Sequence, residues 1–528
     1  MFKNHPKGLI PAALSNMGER FGYYIMNAVL LLFLCSKFGL DEGTSGVIYS
    51  IFYAGIYVLS LVGGAIADGT QKYKATIQWG LIIMALGYVL LSIPITATQG
   101  NIRWLLTFTC VALFLIAFGN GLFKGNLQAI VGQMYDNMEA DAVAQGKSAE
   151  EIKEIKERRD SGFQIFYVFI NIGGLIAPFV APLLRQWWLG VKGMVYDAGL
   201  PALCHQYIND AANMTAEQMT NLTTLMGTVN KGGLDLTDMT AACNSYLQVF
   251  NEGVHYSFIA SVVAMFISLA IFMAFKKIFP TPAKKEAAAT EGYTEEEKRA
   301  MAKEIKQRMA ALFAVLGVCV FFWLSFHQNG QSLSVFARDY VVTDSIAPEI
   351  WQAVNPFFVI VLTPIIMAIF ASLAKSGKAI STPRKIVIGM GITGLAYLFL
   401  VILSMSYDYP NGETFRAMGI DQQAAMKSQW WVLIATYFFL TVAELFISPL
   451  GLSFVSKIAP KHLQGICQGL WLGATALGNL LIWIGPVMLN KMPKLWMCWA
   501  VFLVICLVAM GVMWGMVSWL ERVTGEKE

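Results

Sequence analysis

The stretch NMGERFGYY, residues 16–24, decides the fold class because it places an adjacent acid and base, Glu19 and Arg20, within a long apolar run. A charged side chain near the centre of a bilayer costs at least about 2.5–3.5 kcal/mol on insertion scales, so it normally faces a bundle interior or a watery cavity. The stretch therefore predicts a membrane-spanning helix that belongs to a bundle with a polar interior.

The rest of the chain has the composition of an integral membrane protein. Of its 528 residues, 56% are hydrophobic and 14% are charged, and the mean hydropathy is +0.56. Runs long enough to cross about 30 Å of hydrocarbon recur twelve times. They lie near residues 8–36, 44–68, 75–97, 103–134, 161–189, 252–279, 309–336, 350–374, 384–406, 429–457, 463–490 and 494–519. The sequence predicts an all-α membrane protein of twelve helices.

Lys and Arg are more frequent in the connections on the amino-terminal side of these spans, which predicts that both termini are cytoplasmic. The net charge of +4 lies mostly in those connections. No aromatic-interleaved basic patch is present, so nucleic-acid binding is not expected. A removable signal peptide is not expected either, because the first span carries Glu19 and Arg20 and lacks a small-residue cleavage pattern.

The spans divide into two sets of six. Residues 1–275 form the first set, with an external segment at 190–251; residues 276–308 form a charged cytoplasmic linker; residues 309–528 form the second set. Two six-helix halves related by an axis along the membrane normal are the layout of major facilitator transporters. Polar residues also fall in corresponding helices, as Arg20 with His327, Lys124 with Glu444, Tyr57 with Asn355, and Asn171 with Asn479. This pairing predicts one central cavity.

The first helix carries a polar stripe, because its polar residues are spaced by three or four. They are Asn16, Arg20, Tyr23, Tyr24 and Asn27. Interhelical hydrogen bonding is an alternative interpretation for the tyrosines. It explains the full charges of Glu19 and Arg20 less well.

The predicted cavity has two electrostatic poles. A substrate carboxylate is expected at Arg20 and Lys124, and a substrate ammonium at Glu444, so the charges favour a zwitterion. Amides and an aromatic wall are available between the poles, from Asn171, Asn355 and Trp471. The competing interpretation is that Lys124 and Glu444 pair with each other as a gate.

Two of the eight cysteines, Cys204 and Cys243, lie in the external segment 190–251. An oxidising compartment could join them, so a disulfide is a hypothesis for this pair. The other six fall in predicted helices, where small buried hydrophobes are expected.

Several motifs in order along the chain resemble the proton-dependent oligopeptide transporter (POT/PTR) family of the major facilitator superfamily. They are Glu19 to Tyr24, Gly63 to Asp68, Lys124 to Asn126, Phe166 to Leu175, Phe322-Trp323, Gln328 and Gly330, Asn355-Pro356 with Pro364, Glu444-Leu445, Ser448-Pro449, Gly451 to Ser453, Trp471, and Gly478-Asn479. The resemblance implies import of di- and tripeptides by proton symport and alternating access, in a bacterial inner membrane.

The resemblance also implies roles for individual residues. Those near the peptide carboxylate and backbone would be Arg20, Tyr23, Tyr24, Tyr57, Lys124 and Asn171. Those toward its amino end and side chains would be Asn355, Glu444, Ser448 and Trp471. No cofactor, metal or obligatory protein partner is implied, only peptide, protons and the lipid bilayer.

The chain departs from the family at three positions. Asn16 occupies the position, three residues before the Glu-Arg pair, where the family usually has a glutamate. Asn27 and His327 occupy positions where the family commonly has an arginine and an acid that close the outer gate. Because both members of that charge pair are replaced, neither is left as a buried charge without its partner. Proton coupling is assigned to Glu19 and Glu444 first and to His327 next, and gating to Lys124 with Glu444 and to Asn27 with His327.

Two other functions stay open. The first is a transporter of the same family for another small zwitterion, an amino acid or an anion, with or without proton coupling. The second is a membrane enzyme or receptor, which the sequence disfavours because it contains no nucleophile elbow, phosphate loop or helical zinc-binding pair.

Overall fold

The computed structural model describes residues 5–281, 295–343, 346–378, 380–458 and 464–524. The chain forms two compact units. The first unit comprises Met1–Lys284 and Ser345–Pro356, and the second comprises Lys285–Asp344 and Phe357–Glu528. A short segment that follows the seventh span in the sequence therefore packs within the first unit.

The long stretch of the first unit is helical almost throughout its described residues. Its α-helices are α1 (Leu9–Phe38), α2 (Glu42–Thr70), α3 (Tyr73–Ser92), α4 (Ile102–Ala144), α5 (Ala149–Val191), α6 (Leu200–Asp210), α7 (Ala216–Val229) and α8 (Met239–Phe275). A 3-10 turn at Ala211–Asn213 joins α6 to α7.

The remaining helices follow the linker. They are α9 (Glu295–Phe326), α10 (Ser332–Tyr340), α11 (Val354–Lys375), α12 (Thr382–Ser406), α13 (Gly412–Ala417), α14 (Ile420–Met426), α15 (Trp431–Ile458), α16 (Gln464–Leu480), α17 (Ile484–Lys491) and α18 (Leu495–Thr524). Short 3-10 turns lie at His327–Gly330 and Pro348–Ala353. Two strands, β1 (Val341–Val342) and β2 (Ser428–Gln429), pair in parallel with Val341 opposite Ser428.

Within these described ranges, twelve helical segments are long and apolar enough to cross a membrane. The predicted all-α class with twelve spans is confirmed. The seventh span, Ala302–Tyr340, combines α9, a 3-10 turn and α10. The eighth, Pro348–Leu373, combines a 3-10 turn with most of α11.

The sixth span differs from its predicted bounds of 252–279, because α8 already begins at Met239. The Asp238 side chain caps the helix by accepting the backbone N–H of Ala241 at 3.0 Å. The first turns of α8 then contribute Cys243 and Tyr246 to a hydrophobic core shared with α6 and α7. The segment between the fifth and sixth spans is thus a small folded helical layer with its own core.

Glycines on α2 and α4 bring these two helices into close contact. A Cβ atom at Gly63 would lie 2.1 Å from the carbonyl oxygen of Gly121, and one at Gly121 would lie 2.5 Å from the backbone of Leu59. Small residues permit such close helix approach in membrane proteins. The contact fixes the register of α2 against α4, which brings Tyr57 beside Lys124.

Candidate functional site

Two adjacent residues of α1 form a buried ion pair. Arg20 donates from Nε to Glu19 Oε2 at 2.6 Å and from Nη2 to Glu19 Oε1 at 2.8 Å. Asn120 of α4 donates from Nδ2 to the same Oε1 at 2.6 Å. Two parallel charge-assisted bonds and a third donor offset the desolvation of a pair that is 0% (Glu19) and 5% (Arg20) exposed.

The opposite face of α1 is fastened to α8, which orients the polar stripe. A Cβ at Gly22 would lie 3.2 Å from the carbonyl oxygen of Ser261. Farther along the contact, Ser268 donates to the carbonyl oxygen of Ser15 at 2.6 Å. Because one face of α1 is occupied in this way, its predicted polar stripe faces other helices of the unit.

Lys124 adds a second cation to this region. Its Nζ lies 4.6 Å from the centroid of the Tyr57 ring, and it interacts electrostatically with both Glu19 and Arg20. In the described part of the first unit it forms no ion pair with a carboxylate. The Arg20 guanidinium lies 4.9 Å from the Tyr23 ring centroid. With Lys124 protonated, these three side chains carry two positive charges and one negative charge, an arrangement that favours an anionic group.

Tyrosines of α1 and α2 form a connected aromatic group. The rings of Tyr53 and Tyr57 lie 5.9 Å apart, and those of Tyr49 and Tyr53 lie 5.7 Å apart. Tyr23 and Tyr24 are also in edge contact, at 5.4 Å. Sequence analysis missed Tyr49 and Tyr53, although their spacing of four residues from each other and from Tyr57 places all three on one face of α2.

Asn27, a predicted gate residue, is held inside the first unit by two of these tyrosines. Its Oδ1 accepts the hydroxyl of Tyr23 at 3.1 Å and that of Tyr49 at 3.0 Å. The side chain that replaces the family's usual arginine is thus integrated into a neutral hydrogen-bond network. A gating role for Asn27 stays a prediction.

Three buried polar atoms close to the ion pair have no hydrogen-bond partner in the part of the chain that the structure describes. They are Asn16 Nδ2, Asn120 Oδ1 and the hydroxyl of Tyr88. Tyr88 interacts electrostatically with both Glu19 and Arg20. A buried polar group left unsatisfied costs about 1–3 kcal/mol. These atoms therefore give the Glu19–Arg20 pair spare hydrogen-bonding capacity for water or substrate.

Asn171 and Asn355, both predicted to bind substrate, lie in the first unit. Asn171 of α5 is buried and donates from Nδ2 to the carbonyl oxygen of Tyr167 at 3.0 Å, so Oδ1 faces elsewhere. Asn355 is half-buried. One turn after Asn171, a Cβ at Gly174 would lie 3.2 Å from the Tyr24 ring and 3.3 Å from Pro356. The helical turns that carry Tyr24, Asn171 and Asn355 therefore lie close together.

In the second unit, His327 is buried against aromatic and amide partners. Its ring stacks on Trp323 with centroids 5.0 Å apart, and its Nδ1 is hydrogen-bonded to Asn479 Oδ1. Since the amide oxygen can only accept, His327 Nδ1 carries the proton. His327 of the seventh span and Asn479 of the eleventh, which the sequence analysis paired with residues of the first half and not with each other, are therefore in direct contact within this unit.

The other predicted residues of the second unit lie on α15 and α16. Glu444 and Ser448 are half-buried, and their spacing of four residues places them on one face of α15. Trp471 is buried, and its carbonyl oxygen accepts the hydroxyl of Thr475 at 3.3 Å. Their roles in binding, proton coupling and gating stay predictions.

A second buried ion pair in the first unit was missed by sequence analysis. Arg185 of α5 donates to both carboxylate oxygens of Glu349, at 2.9 and 3.3 Å. The guanidinium lies 4.3 Å from the Tyr196 ring centroid and 4.7 Å from that of Phe250. Nearby, Gln352 donates to the carbonyl oxygen of Ala28 at 3.2 Å. These contacts hold the 3-10 turn at Pro348–Ala353 on α1 and α5.

Cys204 and Cys243 are free thiols that lie in the core of the helical layer between the fifth and sixth spans. Burial and the neighbouring Cys243 thiol raise the pKa of Cys204 well above its usual range. Their oxidation to a disulfide stays a prediction. Among the described residues, no group of three or more His, Cys, Asp or Glu side chains is arranged to hold a metal ion.

The sequence profile of the POT family (PTR2) matches residues 74–295 and 282–497 of the chain. Among curated relatives, the peptide transporter YePEPT of Yersinia enterocolitica is 28% identical over 529 residues, 96% of this chain and 93% of the relative. Dipeptide and tripeptide permease A of Salmonella typhimurium is 27% identical, over 90% of this chain and 82% of the relative.

Solved structures agree on the fold. A crystal structure of a peptide transporter POT in complex with sulfate superposes with a TM-score of 0.68 at 20% identity, covering 99% of this chain and 96% of that one. A POT family transporter in complex with 5-aminolevulinic acid gives 0.68 at 18% identity, covering 99% and 98%. The chain thus belongs to the POT family, with the major facilitator fold, and is a transporter and not an enzyme.

Proposed function

We propose that this protein imports di- and tripeptides by proton symport through alternating access, with both termini in the bacterial cytoplasm. The observation that carries the proposal is the net positive cluster of Glu19, Arg20 and Lys124, in which Lys124 has no carboxylate partner in the described part of its unit. A buried cation of this kind is stabilised by an anionic ligand. The peptide carboxylate is that ligand.

The tyrosines and amides around the cluster supply the remaining polar contacts. Hydroxyl groups of Tyr23, Tyr24 and Tyr57 and the amide of Asn171 are suited to the peptide unit, which offers both a donor and an acceptor. Glu444 of the second unit binds the amino terminus. Asn355 of the first unit and Ser448 and Trp471 of the second contact the amino end and side chains of the peptide. The names of curated relatives, which include dipeptide and tripeptide permeases, support this substrate class.

The Glu19–Arg20 pair offers a physical basis for proton coupling. While Glu19 is ionised, it occupies Nε and Nη2 of Arg20. Protonation of Glu19 removes its charge and weakens both bonds, which frees guanidinium donors for a substrate carboxylate. Binding of a proton to Glu19 then favours binding of a peptide carboxylate to Arg20. Glu444 and His327 are further candidates for proton transfer.

The function is tested by uptake into proteoliposomes. Labelled dialanine is offered with and without an inward proton gradient, and unlabelled dialanine or free alanine is added as competitor. The proposal predicts accumulation above equilibrium only with the gradient, and competition by the dipeptide at a far lower concentration than by the amino acid. Stronger competition by alanine would reassign the substrate to a smaller zwitterion. Equal uptake without the gradient would remove proton coupling.

A further inference from the structure

The first unit contains a pocket of mixed apolar and polar lining to which the proposed transport residues do not contribute. It has a volume of about 640 Å³ and lies at the end of the unit that carries α6. Its walls are the end of α1, the turn from Pro94 to Gln99, and residues of α4, α6 and α8. This volume is typical of sites for small organic molecules. Neither Arg20 nor Lys124 contributes to it.

The pocket wall includes a buried cation, Lys37, whose side chain is 4% exposed. Its ammonium contacts His255 Nε2 and lies 5.6 Å from the centroid of the Phe33 ring. Among the described residues it has no other hydrogen-bond acceptor and no carboxylate within ion-pair distance. An ammonium has three N–H donors, so two of them lack a protein acceptor.

His255 fixes the position of this ammonium without neutralising it. Its Nδ1 is hydrogen-bonded to the carbonyl oxygen of Leu91, which can only accept, so Nδ1 carries the ring proton. Nε2 then offers its lone pair to Lys37. The ring also packs edge-on against Phe33, with centroids 5.3 Å apart. A neutral histidine held on both sides therefore orients the Lys37 amine toward the pocket without supplying a counterion.

The remaining polar groups of the wall are largely occupied by one another. Asn251 donates to the carbonyl oxygen of Ser36 at 3.1 Å, and His205 contacts the same oxygen at 2.6 Å. Gln99 donates to Asn209 at 3.1 Å, which joins the turn before α4 to α6. These bonds give the pocket a preformed wall around the Lys37 ammonium.

One carboxylate, Glu252, also lines the pocket. It accepts the indole N–H of Trp188 at 2.9 Å and the side-chain amide of Gln248 at 2.9 Å. Two N–H donors therefore already hydrogen-bond the Glu252 carboxylate, whereas among the described residues the Lys37 amine contacts only a neutral histidine. Lys37 is thus the group of the wall that still has donors to offer a ligand.

We propose that this pocket binds an oxyanion, a carboxylate or a phosphate group, with Lys37 as its counterion. The buried ammonium and its two unused donors require an acceptor of this kind. Apolar side chains of the wall, among them Phe38, Ile95, Ile102 and Leu247, accommodate an organic body attached to the anion. A free anion and the phosphate of a phospholipid headgroup share this chemistry.

The experiment uses the purified full-length protein in a neutral detergent. Thermal unfolding is followed during titration with inorganic phosphate, and native mass spectrometry counts adducts of phosphatidylglycerol and of phosphatidylcholine. The variants are Lys37→Gln and a matched control, Lys231→Gln, which removes an exposed lysine from the segment between the fifth and sixth spans. Lys37→Arg keeps the charge and serves if the glutamine variant fails to fold.

At about 100 times the Kd of phosphate, the unfolding midpoint of the wild type and of Lys231→Gln is expected to rise by several degrees, and that of Lys37→Gln to stay unchanged. Phosphatidylglycerol adducts that the wild type retains and Lys37→Gln loses would support the proposal, with a lipid headgroup as the source of the anion. Lys37→Arg is expected to retain the response.

Lys124→Gln separates this site from the transport site. A phosphate response that persists in Lys124→Gln and disappears in Lys37→Gln belongs to the pocket. The proposal is overturned if the response disappears in Lys124→Gln alone, or if neither phosphate nor phosphatidylglycerol distinguishes Lys37→Gln from Lys231→Gln. Because these readouts measure binding and not uptake, they do not depend on the proposed peptide transport.

Discussion

The two buried carboxylate–guanidinium pairs of the first unit have the same chemistry and different surroundings. The Glu19–Arg20 pair joins neighbours in the sequence and lies near Lys124 and several buried polar atoms that have no hydrogen-bond partner among the described residues. The Arg185–Glu349 pair joins residues 164 positions apart, and two aromatic rings cover its guanidinium. We propose that the first pair exchanges partners, whereas the contacts of the second fix one segment to another. The surroundings of a buried ion pair, more than the pair itself, indicate its role.

The largest effect is expected from breaking the fixed pair. Glu349→Gln leaves Arg185 buried without its counterion, so the free energy of unfolding should fall by about 3–5 kcal/mol. Chemical unfolding in detergent, followed by tryptophan fluorescence, measures the change. Replacement of both residues by leucine should restore most of the loss, because no buried charge then remains. A double variant as unstable as the single one would show that the segment is not held in this way.

A large effect on transport is expected from Lys124. Lys124→Gln removes the cation assigned to the peptide carboxylate and should lower kcat/KM for dialanine uptake about 100-fold, with the unfolding midpoint nearly unchanged. The matched control is Lys192→Gln, which removes an exposed lysine that contacts Trp188. Its uptake should stay within about twofold of wild type. Equal losses in both variants would argue against a specific carboxylate site.

A smaller effect on transport is expected from Arg20→Lys, which keeps the charge of the exchangeable pair and removes its two parallel bonds. Lysine is a point charge and cannot reproduce the planar fork of arginine, so uptake should fall by about 10-fold. The same initial-rate assay measures it. Unchanged uptake would mean that charge alone, and not bidentate geometry, matters at this position.

The smallest effect is expected from pH at the α6 end of the unit. Burial lowers the pKa of His205 below its ordinary value of 6.5. The unfolded chain therefore takes up a proton first as the pH falls through about 6.5, so this histidine lowers stability in that direction. His205→Gln should reduce the drop in unfolding midpoint between about pH 7.5 and pH 5.5. If the variant and wild type show the same drop, His205 is not responsible.

The difference between the two pairs also explains what could be predicted from the sequence. Glu19 and Arg20 are charged residues in an apolar span, so their position toward a polar interior follows from the membrane environment. Their bond to each other was not predicted, because consecutive residues of a helix do not face each other. Arg185 carried the same signal, a charge at membrane depth, but its partner lies in a segment that joins the first unit only through tertiary packing. Local spacing contains no information about such a contact.

Other features of the fold also differ in whether a local sequence pattern predicts them. The stripe of α1 and the twelve spans follow from helical periodicity and hydropathy and were predicted. The early start of α8 at Met239 depends on the core that it shares with α6 and α7, and it was not predicted. The contact of Lys37 with His255 likewise joins two helices that pack together but lie far apart in the sequence.

The most direct measurement is uptake of labelled dialanine by Glu19→Gln in proteoliposomes, compared with wild type, with and without an inward proton gradient. Glutamine keeps the shape of Glu19 and cannot bind or release the coupled proton. If the Glu19–Arg20 pair couples protons to peptide, the variant should exchange peptide across the membrane but lose gradient-driven accumulation. Gradient-driven accumulation equal to that of wild type would contradict this role of the pair.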